Sequence, residues 1–233
     1  MSHSPRHVAG TRPYPWPWCG RLEPSRLALL VVTAPDRPAG GPAGGRREAP
    51  DSGDPVGSAG PAGPAGLEGA TGAIEASAAA LRGLGVTVAE IRTRPPLARR
   101  LSKPADAAAG TTRAVSPWSP DLVVSPLGWD GFHGTPLDSR LRADGRDQLL
   151  LAGWWLETSV HSTLRSANDR GYECLLATDL VVALDPGTAR GAISSVLMSG
   201  GIFGGVGRAA DVVTALRQAH GDTSSTDDKE FTS

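Results

Sequence analysis

Lysine, cysteine and aromatic side chains are all scarce in this chain of 233 residues. There are two lysines, Lys103 and Lys229, and two cysteines, Cys19 and Cys174, while aromatic residues make up 5% of the whole. Two thiols cannot build a disulfide framework, so a reducing, cytoplasmic setting is expected. No apolar run approaches the roughly 20 residues that a membrane helix needs, and the longest, "LALLVV", covers residues 27–32. The opening "MSHSPRHVAGTRPYPWPWCG" carries no apolar core of the signal-peptide type. Formal net charge is −1, which leaves no positive field to draw the protein to nucleic acid or anionic membrane.

Glycine and proline are abundant instead, and unevenly spread. Between Pro35 and Ala70, 17 of 36 residues are Gly or Pro, and large apolar side chains are nearly absent. Such a stretch cannot bury enough surface to offset its ordering entropy, so a flexible insertion over 35–70 is expected. Within it, glycine recurs at every third position from Gly57 to Gly72. Collagen uses that period, but over many more triplets and in three chains. The polar end "GDTSSTDDKEFTS" is expected to be a disordered tail over residues 221–233.

The remainder alternates in type. "LALLVVT" (27–33) is a continuous apolar run of strand length, as expected where helices cover both faces of a sheet. Helix is expected over 72–85, stopped by Gly83 and Gly85. Strands follow at 86–93 and 121–124. A helix over 135–145 would have Thr135 as its N-cap and Pro136 at its first position. The pattern continues with strand 147–153, a helix to Gly171, strand 172–179, a helix near 188–199, strand 201–206 and a last helix over 209–219. Regular β–α alternation with right-handed crossovers gives a three-layer α/β/α domain around a mostly parallel six-stranded sheet. Its span is 27–220, behind an N-terminal extension of residues 1–26. Sites in such sheets lie outside the carboxyl ends of the strands, which puts Thr33 and the elbow after Gly153 at the functional edge.

Four segments carry a family likeness: "PYPWPWCGRLEPSRLALLVV", "GWDGFHGTPLDSRL", "LLLAGWWLETSVHSTLRSANDRGYECL" and "GGIFGGVGRAADVVTAL". In order and spacing they resemble the isochorismatase-like cysteine hydrolases, most nearly the branch with biuret hydrolase and ureidoacrylate amidohydrolase. The motif Phe132-x-x-Thr135-x-Leu137 and the run from Thr163 to Tyr172 are its more specific parts. The resemblance implies a Rossmann-like α/β fold and a cysteine–aspartate–lysine triad acting on C–N bonds. Its three positions fall on Ser159 for the cysteine, Thr33 for the aspartate and Pro126 for the lysine. All three are substituted.

The chemical consequence is large. A hydroxyl is a far poorer nucleophile than a thiolate unless a base activates it. Threonine does not shuttle a proton near neutral pH as a carboxylate does, and proline supplies no charge. Neither His161 nor Glu157 faces Ser159, because residues two apart on a helix point to different sides. His133, next to Phe132, is the one histidine expected near the site. Trp154 and Trp155 are large for the elbow and are expected to fill the pocket or to stack a ligand. Cys174 reads as an inert core thiol. No metal site is expected, since the loop after the second strand lacks histidine, and no cofactor is implied.

Three functions remain open on sequence alone. One is a degenerate member of the hydrolase fold, serving as a binding or partner subunit beside an active paralogue or as a homo-oligomer. The second is an active amide or ureide hydrolase with a rewired Ser159. The third is a module that binds a small-molecule ligand in a retained pocket.

Overall fold

A computed structural model describes residues 6–33, 64–93 and 116–227. Among them, strand β1 is Leu27–Thr33, β2 Thr87–Arg92, β3 Leu122–Val124, β4 Gln148–Trp154, β5 Glu173–Val182 and β6 Gly205–Gly207. The helices are α1 (Pro64–Gly83), α2 (Leu137–Ala143), α3 (His161–Asp169, preceded by a π-helical turn at Leu156–Val160), α4 (Pro186–Leu197) and α5 (Ala209–Asp227). The six strands form one sheet in the order β3-β2-β1-β4-β5-β6. Each pairing is parallel, so the sheet is wholly rather than mostly parallel.

Strand alternation divides the core into two layers, because successive side chains point to opposite faces. On β1, Ala28, Leu30 and Val32 join Leu137, Leu141, Leu156, Val160, Leu164 and Ile193 on the face of α2, α3 and α4. Leu27, Leu29 and Val31 join Ile74, Leu81, Val212 and Leu216 on the face of α1 and α5. The residues before β1 belong to this second layer. Val8, Trp16 and Leu22 are buried in it, and Arg12 exchanges two backbone hydrogen bonds with Val206 at 2.9 and 2.7 Å. Residues 6–26 are therefore a strap over the core.

Some expected boundaries shift. Helix α1 starts at Pro64, so residues 64–70, expected as insertion, are helical. The rest of the insertion, 35–63, lies outside the described residues. Helix α5 continues to Asp227, taking up the start of the expected tail, and residues 228–233 again lie outside. Helix α2 begins only at Leu137. Thr135 still reaches its start: its hydroxyl accepts from Leu137 N at 3.3 Å, as a capping side chain does, and donates to Gly131 O at 2.7 Å. Strand β6 sits at 205–207, because Ile202 and Gly204 turn back onto Ser199 and Gly201. No helix among the described residues is long and apolar enough to cross a membrane.

Candidate active site

The carboxyl edge of the sheet brings the ends of β1, β2 and β4 together. Strand β4 ends on Gly153 and Trp154, and after the Trp154–Trp155 peptide, which is cis, the chain turns into the π-helical turn that carries Ser159. Ser159 is 0% exposed. Its hydroxyl lies 3.3 Å from Thr93 Oγ1, and Thr93 Oγ1 lies 2.9 Å from the backbone carbonyl of Thr33. Thr93 has one hydroxyl proton, and the carbonyl can only accept. The order is thus Ser159 O–H to Thr93 Oγ1, then Thr93 O–H to Thr33 O. The helix is tied down behind the serine: Thr163 Oγ1 donates to Ser159 O at 2.8 Å and accepts from Gly131 N at 3.0 Å.

The Thr33 hydroxyl does not face Ser159. It lies 3.3 Å from Ile91 O and 3.5 Å from Glu90 Oε1, two acceptors for its one proton. Glu90 is 4% exposed and is held by Arg92 Nη2 at 3.0 Å and by the Ser116 hydroxyl. Sequence reasoning missed this paired carboxylate and Thr93. The signal for Glu90 was present: it is the one acid in "TVAEIR", a strand whose centre is buried. Thr93 gave none, being a small polar residue just past a strand end. Pro126 is buried in the loop after β3, next to a turn in which Leu127 N donates to His133 O at 3.3 Å.

The remaining expected site residues are spent on packing or exposed. Trp155 is buried. Trp154 is the last residue of β4 and, in phase with Leu150 and Ala152, belongs to the α1/α5 layer, where its ring centroid is 6.0 Å from that of Trp118. The reading that both tryptophans fill one pocket is corrected on this point. Phe132 is packed on Tyr172, with centroids 5.7 Å apart, and carries the Arg170 guanidinium at 4.8 Å. His133 is exposed. Glu157 accepts from Leu184 N, Asp185 N and Thr188 Oγ1 at 2.8, 3.1 and 2.9 Å, so its carboxylate braces the start of α4.

His161 turns away from Ser159 to Ser195 Oγ, 2.9 Å from its Nε2. Burial, and secondarily the Arg165 charge, hold its pKa below the ordinary value of 6.5. The unfolded chain therefore binds this proton at a higher pH than the folded one does. The resulting stability is complete above the unfolded pKa of about 6.5 and drains away as pH falls below it. Urea midpoints measured between pH 8 and pH 5 are expected to fall, and to fall less in His161→Asn. Equal slopes for the two proteins would show that His161 contributes nothing.

Comparison with known proteins agrees with this architecture. Residues 56–207 match the family model described as the isochorismatase domain. The chain is 32% identical over 107 residues to ureidoacrylate amidohydrolase RutB of Methylorubrum extorquens, covering 46% of this chain and 43% of that protein. It is 39% identical over 59 residues to the uncharacterized isochorismatase family protein YwoC of Bacillus subtilis, covering 25% and 31%. The matches thus span less than half the length of these relatives. Among solved structures, a cysteine hydrolase from Pseudomonas syringae superposes with a TM-score of 0.59 at 20% identity, over 84% of this chain and 95% of that one. The nicotinamidase SaPncA of Staphylococcus aureus gives 0.51 at 19%, over 79% and 99%. At such identities the structures speak to the fold. The fold and the family model together define a three-layer α/β/α domain of the isochorismatase type. The chain belongs to the isochorismatase family.

Proposed function

We propose that this chain is a family member without hydrolytic activity, acting as a binding or partner subunit. The observation that carries the reading is the end point of the Ser159 hydrogen-bond chain. A serine becomes a nucleophile when its proton can leave to a base. Here the proton is directed to Thr93, whose own proton is directed to the Thr33 carbonyl, a group that does not take up a proton at neutral pH. The nearby acid, Glu90, is paired with Arg92 and reaches the Thr33 hydroxyl rather than Ser159. Glu157 and His161 have other partners. Among the described residues, a rewired serine hydrolase would need one of these groups within reach of the serine.

The test uses ureidoacrylate, biuret and nicotinamide as substrates, after the relatives' activities. The purified protein is expected to release no product above background, and Ser159→Ala to leave that background unchanged. Turnover that disappears in Ser159→Ala would establish an active enzyme and end the reading. Turnover that survives the substitution would place the chemistry elsewhere and end it equally.

A further inference from the structure

A cavity of about 390 Å³ opens at the other edge of the sheet. Its walls are Tyr14, Trp18, Asn168, Gly171, Tyr172, Glu173, Gly200 and Gly201. Glu173 opens β5, so the cavity lies at the amino edge. The turn that carries Ser159 and helix α3, which ends beside Asn168, separate it from the candidate active site by about 14 Å along the axis at 1.5 Å per residue. The volume is within the range of small-ligand pockets, about 300–1,000 Å³.

Glu173 is the one acidic side chain in the wall, and no lysine, arginine or histidine is among the lining residues. Positive charge acts from behind the wall, Arg26 and His7 on Glu173 and Arg142 and Arg170 on Tyr172. Two helices also end here: α3 at Asp169, just before Gly171, and α4 at Leu197, just before Gly200 and Gly201. Helix C-termini carry partial negative charge and favour cations. The apolar wall is aromatic. Tyr14 and Trp18 meet edge to face with centroids 5.2 Å apart, and Trp18 is 72% exposed, which leaves most of its surface free for a ligand. Gly201 brings the backbone close to Tyr14, since a Cβ there would lie 3.0 Å from the ring. Glu173 accepts from Trp18 N through Oε1, while Oε2 has the Cys19 thiol at 4.0 Å, leaving acceptor capacity on the second oxygen. Burial holds the Glu173 carboxyl above its ordinary pKa, outweighing the Trp18 N–H and the Arg26 and His7 charges, which pull it down.

We propose that this cavity binds a small organic cation, an ammonium or guanidinium group on an apolar body, with Glu173 pairing the charge and Trp18 and Tyr14 covering the body. Carboxylate pairing and cation–π contact act on the same charged group there. The site is independent of Ser159, so it stands whether or not the carboxyl edge is catalytic.

The probes are 2-phenylethylammonium, the anion 3-phenylpropanoate and neutral 2-phenylethanol, titrated into the full chain and followed by amide and indole NMR shifts. The ammonium is expected to saturate, with shifts centred on Trp18, Gly200 and Gly201, while the anion does not. Glu173→Gln is expected to weaken the ammonium by about tenfold or more and to leave 2-phenylethanol unaffected. Should Glu173→Gln fail to fold, the shift map on the unaltered protein and Trp18→Ala decide instead. Absence of saturation by about 10 mM, equal binding of anion and cation, or shifts centred away from these residues would each overturn the proposal.

Discussion

Gly153→Ala is expected to yield no cooperatively folded protein at 25 °C. Gly153 has φ +109, a backbone conformation that side-chain-bearing residues avoid at a cost of roughly 1–3 kcal/mol. Space is the larger obstacle. A Cβ at this position would lie 1.9 Å from Val32 O and 2.8 Å from Val32 C and N. These are backbone atoms of β1, the strand to which β4 is paired with Val32 opposite Gly153. Neither strand can retreat, because β2 and β5 flank the pair within the same sheet. Overpacking a core side chain costs about 1–3 kcal/mol, and pushing two central strands apart also breaks ladder hydrogen bonds. The sum reaches the lower end of the roughly 5–15 kcal/mol that holds a typical domain together. Gly191→Ala is the matching control. It is an exposed glycine inside α4 with nothing within 4 Å of its would-be Cβ, and there alanine should stabilise by up to about 1 kcal/mol. Circular dichroism and urea unfolding of the two variants measure the contrast. A Gly153→Ala protein with the parent's midpoint would show that the elbow is not fixed by this contact.

The elbow was the most legible part of the sequence, for the same reason that it is rigid. A buried apolar strand, a glycine and a helix leave few arrangements, and Ser159 falls in the turn between them. What escaped was one residue of phase. With β4 ending at Gly153, Trp154 reads as the first residue of the turn and faces the site. Extended to Trp154, the strand keeps alternating and sends that ring to Trp118 on the opposite layer. The first turns of α1 escaped for a different reason. Their Gly-rich "PAGLEGATG" has low intrinsic helix propensity, whereas "AIEASAAALRG" buries Ile74, Ala78 and Leu81 against the sheet and carries the helix back through them. Thr93 could not be found from sequence at all. Its role depends on three strand ends meeting, and nothing in "IRTRP" marks a residue that bridges Thr33 and Ser159.

Placing Asp, Lys and Cys at the three positions that the resemblance assigns to the triad is expected not to produce hydrolysis. The variant combining Thr33→Asp, Pro126→Lys and Ser159→Cys should fold yet release no product from ureidoacrylate or biuret above background. Each replacement meets a neighbour suited to the present residue. The Thr33 hydroxyl is 3.5 Å from Glu90 Oε1, so an aspartate there would place two carboxylates side by side. Two such groups cannot both ionise without a large rise in one pKa, and Arg92 already serves Glu90 at 3.0 Å. Pro126 is buried, and an ammonium introduced there loses its hydration unless a partner is in place. Ser159 is 0% exposed, and a thiol in such surroundings is held protonated by burial, as Cys174 in β5 already is. Without a thiolate there is no nucleophile, and without side chains placed to within about half an ångström there is little catalysis to recover. The chain provides its own standard for the measurement. In iodoacetamide labelling at pH 7, read by mass spectrometry, exposed Cys19 should react first. The introduced thiol should follow at least about tenfold more slowly, in company with Cys174. A thiol at position 159 that outpaces Cys19, together with product from either ureide, would mean that only side chains had been lost and that the carboxyl edge had stayed open to substrate.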